Sequence, residues 1–252
     1  MTGVQTCALP ISPALRLAAL PITARLAPAK AVPVLANLVR HGDATEQKAA
    51  FRALGNLRNP EADTVFADQL RALLAGQVPA AVQLELINAA GRRADPKIKA
   101  LVAEHEKSVS SSTDPLASFR VALEGGDKER GRRIFESQAT LPCIRCHRAG
   151  AEGGDAGPNL AGIGAKQSRE YLLESIVKPN AKIAPGYDTV VVTLKSGRVV
   201  AGIVAQETAD TLSLRDTENK VAAVAKSEIA KREGAPSSMP EVYATLLTKQ
   251  QI

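Results

Sequence analysis

The string Cys143-Ile144-Arg145-Cys146-His147, a C-x-x-C-H, constrains this chain more than any other stretch. Two thiols two residues apart, followed at once by an imidazole, read as a c-type haem attachment site. The gap sets the sulfurs at the separation of the two vinyl groups of one porphyrin, and the same turn must deliver a ring nitrogen to the iron. With three Cys and three His among 252 residues, chance is a poor source of such a string. A structural zinc ion needs four ligands, and adjacent Cys146 and His147 fit one tetrahedral ion poorly. A thioredoxin-like dithiol needs a βαβ setting, which the surrounding pattern lacks.

The chain is long enough for two or three compact units. Its 45% hydrophobic and 23% charged residues place it among soluble globular proteins. Aromatics are 3% with no Trp, so cores must be built from Ala, Leu, Val and Ile, a helical profile. The net charge of +6 suits an acidic partner, although two haem propionates would remove part of it. No apolar run approaches the length of about 18 residues that a membrane-spanning helix requires. Residues 1–11 read as the translation of a sequencing-adapter oligonucleotide, which discounts Cys7. They do not read as a signal peptide, because no basic region precedes them and Pro10, Pro13 and Arg16 interrupt the apolar stretch.

Residues 12–107 carry a helical, Ala/Leu-rich, self-similar pattern. Ala53-Leu54-Gly55 through Pro60 matches Ala89-Ala90-Gly91 through Pro96 at an offset of 36 residues (91 − 55). Gly at a helix end and Pro at the start of the next is the expected asymmetry. A repeat of this period built from helix pairs predicts a stacked α-solenoid that resembles HEAT-like repeats, with its front cap missing. It is expected to act as a rigid spacer or scaffold, a docking surface being the alternative. His41 and His105 fall in this region and are expected to be surface or packing residues. The serines of residues 108–114 read as a linker. After it come a short helix over Pro115–Leu123, a break at Gly125-Gly126, and an amphipathic helix over Asp127–Ser137. There Gly131 and Phe135 share a face, where the glycine would let another helix cross closely.

Residues 127–185 and 233–252 together resemble a class I cytochrome c: a first helix with Gly and Phe, C-x-x-C-H, then Gly157-Pro158-Asn159-Leu160. More narrowly, the order of pieces is similar to the haem-binding domain of planctomycete/verrucomicrobial type. Tyr171 to Ile176, Pro179-Asn180-Ala181, Pro185-Gly186-Tyr187 and Ser238-Met239-Pro240 carry that likeness. The resemblance implies one haem c attached through Cys143 and Cys146, with His147 as proximal ligand. It implies that the Pro158 carbonyl accepts from the His147 ring and that Leu160 walls the haem. A lone Met is by default core filler. Met239, however, is the only methionine besides Met1, and it stands where such a cytochrome places its distal ligand. Met/His ligation saturates the iron and raises its potential, which means electron transfer. An open-sided haem that binds a gas or peroxide is the alternative.

Between residues 186 and 232 the period switches to alternation. Thr189–Leu194 and Arg198–Gln206 join at Lys195-Ser196-Gly197, a hairpin signal, and Thr211–Arg215 and Lys220–Ala225 follow. Four short strands predict a small antiparallel barrel, Sm- or SH3-like, inserted in the cytochrome fold. Nucleic acid is not expected as a partner: Tyr187 is the only aromatic, and Glu207, Asp210, Asp216 and Glu218 interrupt any basic stripe. The final helix, from Tyr243 to Ile252, is expected to be truncated.

The expected whole is mainly α and multidomain. HEAT-like helices (12–107) lead through a linker (108–114) to a cytochrome c-like domain (115–185 with 233–252) carrying the inserted barrel (186–232). The resemblance implies an electron carrier rather than an enzyme, secreted or periplasmic, and served by a redox partner or an upstream dehydrogenase domain.

Overall fold

The computed structural model describes residues 13–137 and 143–252, with side chains from residue 17 onward. The stretch read as adapter translation therefore lies outside the described residues. The chain divides into two compact units, with the boundary at Gly125/Gly126.

The first unit is helical. Its helices are α1 (Pro13–Leu26), α2 (Pro28–His41), α3 (Ala44–Gly55), α4 (Pro60–Leu74), α5 (Ala80–Ala90) and α6 (Pro96–Ser110). Their starts follow from local chemistry. Asp43 and Glu46 form a reciprocal capping box at α3, while Asn59 and Asp95 cap α4 and α6 directly before prolines whose missing N–H costs nothing there. The pair α3–α4 and the pair α5–α6 are the two halves of the 36-residue repeat. Helix α3 packs on α1 and α5, and α4 packs on α2 and α6, so alternate helices form two layers. Between the layers lie Leu35, Leu54, Phe51, Phe66, Leu70, Leu86 and Ile98, all essentially inaccessible. The two glycines of the repeat differ in use. A Cβ on Gly55 would lie 3.0 Å from the Ala89 Cβ, so α3 and α5 pack closely there, whereas Gly91 has only its own turn nearby.

Two boundaries differ from expectation. Helix α6 continues through Ser110, and residues 115–125, expected with the haem domain, pack on the helical unit. Leu116 is buried, Val121 of the 3-10 segment Ala117–Leu123 covers the helical core, and Arg120 pairs with Asp114. The serine-rich composition suggested a linker, but these apolar residues have a surface to bury against. His41 is exposed and His105 is buried, both within this unit.

The second unit holds α7 (Lys128–Ser137), α8 (Ile163–Lys166), α9 (Arg169–Val177), α10 (Tyr243–Leu246) and an antiparallel sheet. The strands are β1 (Thr189–Leu194), β2 (Val199–Glu207), β3 (Thr211–Arg215), β4 (Val221–Ala225) and β5 (Ile229–Ala235), in the order β4-β3-β2-β1-β5. Alternate residues Val190, Val192 and Leu194 meet Leu212, Leu214 and Val224 in a separate small core. Five strands are present where four were expected, and the insert runs to residue 235. Strand β5 reads Ile-Ala-Lys-Arg-Glu-Gly-Ala and is exposed along nearly its whole length, so no apolar alternation marks it. Its charges suit an edge position. The last helix is also shorter than the ten residues expected. Leu247 turns extended, and the Thr248 N–H donates to the Gln251 side chain in a separate turn.

Candidate haem site

The Cys143–Arg145 segment forms a single 3-10 turn, closed by the Cys146 N–H donating to the Cys143 carbonyl at 3.2 Å, and the His147 N–H donates to the same carbonyl at 3.0 Å. That turn presents both thiols and the His147 ring to one cavity of about 400 Å³. This lies in the range of cofactor sites. Its walls are largely apolar. Ile134 and Phe135 come from α7, Leu172 and Ile176 from α9, and Tyr243 from α10. All six residues singled out from the sequence (Cys143, Cys146, His147, Pro158, Leu160 and Met239) line this same cavity. Gly131 lines it too. Among the described residues a Cβ on Gly131 would meet nothing within 4 Å, so this glycine opens onto the cavity and no described helix crosses closely there.

The imidazole has a defined tautomer. His147 Nδ1 lies 2.9 Å from the Pro158 carbonyl oxygen, which can only accept, so Nδ1 carries the proton and Nε2 keeps its lone pair. Burial pushes the imidazole below its ordinary pKa, and the Pro158 hydrogen bond opposes this more weakly. The ring is therefore neutral at pH 7 and fit to ligate a metal. Cys143 and Cys146 are free, half-buried thiols, and burial raises both, keeping them protonated. Tyr243 faces the same space, where loss of solvent and then the two cysteines push its hydroxyl up to about 12.

Several contributors were not read from the sequence. The loop returning from His147 crosses the motif so closely that side chains are excluded. A Cβ on Gly153 would lie 2.2 Å from the His147 carbonyl oxygen. One on Gly154 would lie 2.0 Å from that of Arg145, and one on Gly157 would lie 2.6 Å from His147 Cε1. The signal in the sequence is the glycine-rich run Gly153 to Gly157, whose last glycine opens the Gly-Pro dipeptide. Opposite, Asn180 clasps the Met239 loop. Its side chain accepts from the Ser237 N–H at 2.7 Å and donates to Glu241 at 2.8 Å. A neutral imidazole held by one nitrogen, two thiols on one turn and a thioether in a largely apolar cavity form a donor set that fits haem c.

Among the described residues no helix is long and apolar enough to cross a membrane. No curated protein matches the chain. Residues 128–218 match the family model of cytochrome c, a span that takes in the C-x-x-C-H turn and ends before Met239. This part of the chain is accordingly similar to a cytochrome c domain.

Proposed function

We propose that residues 126–252 would hold one haem c, with Cys143 and Cys146 as its attachment residues and His147 and Met239 as the residues that would hold its iron, and would carry single electrons. The observation that carries this reading is the His147–Pro158 hydrogen bond at 2.9 Å, beside two free thiols in a cavity that Met239 also enters. Haem c bound there supplies a one-electron Fe(III)/Fe(II) couple.

Each residue has its own task. Pro158 fixes the imidazole plane and strengthens its basicity through the Nδ1 hydrogen bond. Asn180, through Ser237 and Glu241, holds the thioether loop in place. Leu160, Phe135 and Ile176 keep water from the cavity, which favours the less charged iron state and so a higher potential.

The order of the pieces supports a wider setting. The chain is read as the cytochrome module of a larger, secreted or periplasmic dehydrogenase-like protein of planctomycete/verrucomicrobial type. In that reading α1–α6 are HEAT-like repeats serving as a scaffold, and an upstream dehydrogenase domain or a separate redox protein exchanges electrons with the haem. The layering of alternate helices supports the repeat reading. A small SH3- or Sm-like barrel is supported by the return of β5 to β1 and by Glu207 of β2, which pairs with Lys226 at 2.8 Å and Arg232 at 3.0 Å.

Expressed with a haem-maturation system, the chain should keep its haem absorbance in denaturant, and the double variant C143A/C146A should release it. Release from the unsubstituted chain would end the haem c reading. Replacing Met239 with Ala should remove the iron–sulfur charge-transfer band, lower the midpoint potential and admit exogenous imidazole. Unchanged spectra and ligand binding in that variant would favour an open sixth position.

A further inference from the structure

The inserted sheet makes contacts that a passive spacer would not need. At one end, the β3–β4 turn reaches the C-x-x-C-H turn. Asp216 shapes the turn by accepting from the backbone N–H groups of Glu218 at 2.8 Å and Lys220 at 2.9 Å. Asn219 then sits at φ 65°, the one non-glycine residue with positive φ among those described, a conformation asparagine tolerates better than most.

Held there, the Asn219 side chain donates to the Arg145 carbonyl at 3.3 Å and accepts from the Asp155 N–H at 2.8 Å. It bridges the turn that carries Cys143, Cys146 and His147 to the glycine-rich return loop. Gly154 makes this stacking possible, since a Cβ there would lie 2.7 Å from Asn219 Nδ2. Arg215 of β3 adds a 3.5 Å ion pair to Asp155, and Thr217 lines the cavity itself.

At the other end, the sheet holds the Met239 loop. Thr189, at the start of β1, shares a 2.8 Å hydrogen bond with Ser238, and β5 runs directly into Ser237-Ser238-Met239. Antiparallel ladders join β3 to β2, β2 to β1 and β1 to β5, the first and last with one register shift each, so one hydrogen-bonded body touches both loops.

We propose that the inserted sheet is a brace for the haem site, with Asn219 as a positioning residue that sets the His147 turn relative to the Met239 loop. The proposal rests on the haem c reading above. It makes the iron–methionine bond depend on a contact made by a strand turn 64 residues beyond Asp155 in sequence (219 − 155).

The test compares the full chain with Asn219→Gly, which keeps the positive φ and removes both side-chain hydrogen bonds. Ser196→Ala in the β1–β2 turn, which contacts neither loop, is the control. With covalent haem present in all three, N219G should bind imidazole roughly tenfold more tightly, the scale on which loss of an outer partner acts at a metal site. Its charge-transfer band should weaken and its midpoint potential fall, while S196A matches the parent. Equal imidazole affinity and equal potential in N219G and parent would overturn the brace.

A second measurement needs no haem. In the apo chain, N219G should speed amide exchange at Asp155 and at Gly154, whose N–H donates to the Ile144 carbonyl at 3.0 Å. Unchanged exchange at both would also count against the brace. Failure of the parent to take haem would instead remove the function reading, and the exchange result would still decide the contact.

Discussion

Replacing Gly157 with alanine is expected to displace His147 from its place in the cavity. The new Cβ would lie 2.6 Å from Cε1, 2.8 Å from Nδ1 and 3.0 Å from Nε2 of the imidazole, all well inside van der Waals contact. Neither side can yield cheaply. The Gly157 N–H is fixed by a 2.7 Å hydrogen bond to the Cys146 carbonyl, and the ring is held at the next residue by the Pro158 carbonyl. Relief by tilting the ring breaks that second bond, and relief by moving the loop breaks the first. Overpacking of this kind costs about 1–3 kcal/mol in a well-packed interior.

In the haem-loaded chain the consequence should exceed that figure's usual reach, because the ring that moves is the one proposed to hold the iron. G157A should retain haem in denaturant, since the thiols are untouched, yet show a high-spin spectrum and a lower midpoint potential. A low-spin spectrum with the parent's potential would show that the loop absorbs the methyl and that the close approach has no functional weight. The comparison with M239A separates the two sides of the site: both variants open a coordination position, but only G157A should lose the resonance of the Pro158-bonded Nδ1–H.

How much of this was legible beforehand depends on the length scale of each signal. The C-x-x-C-H turn, the Gly-Pro-Asn-Leu loop and the lone Met239 are local strings, and each lines the same cavity. The helix starts at Pro60 and Pro96 were legible for the same reason, since a cap and a proline act within one turn. What escaped was set by distant partners. Gly157 looks like an ordinary turn glycine until the His147 ring is found against it. Asn219 reads as a polar turn residue until Arg145 and Asp155 are found beside it. Strand β5 carries no alternation because an exposed edge needs none, so only its pairing with β1 reveals it. Residues 108–114 misled in the opposite sense. Their serines suggested freedom, while the decision lay with Leu116 and Val121 and the helical core they cover.

Arg93 lies within the second copy of the repeat motif, between Gly91 and Pro96, and its replacement by methionine is expected to cost the helical unit about 3 kcal/mol or more, the scale of breaking a buried ion pair. Only 8% of Arg93 is accessible, and its guanidinium is the hub where the two halves of the 36-residue repeat meet. Nε donates to Asp63 at 2.7 Å, Nη1 to the Leu54 carbonyl at 3.1 Å and to that of Leu57, and Nη2 to the Asn59 carbonyl at 3.2 Å. Those carbonyls belong to the end of α3 and the connection to α4. The Leu54 and Asn59 carbonyls also accept from the Leu57 and Ala62 N–H groups, so the planar fork adds a second donor to each and serves the Leu57 carbonyl as well. The guanidinium also lies 5.8 Å from the centre of the Phe66 ring, adding a cation–π contact in a site with little water. Methionine fills similar volume but removes the donors to Asp63 and to the Leu57 carbonyl, while the Leu54 and Asn59 carbonyls keep one backbone donor each. Asp63 keeps a quarter of its side-chain surface in solvent and can recover part of the loss, which sets the expectation at the lower end of the buried-pair range. Urea unfolding followed by the helical circular dichroism signal should show the midpoint falling with an unchanged slope. Arg93→Lys should recover less than half of the loss, because an ammonium cannot reach all four acceptors from one point. A destabilisation below about 1 kcal/mol in R93M, the value of an exposed pair, would mean that water replaces the fork without difficulty and that the repeat junction is held by its apolar layer alone.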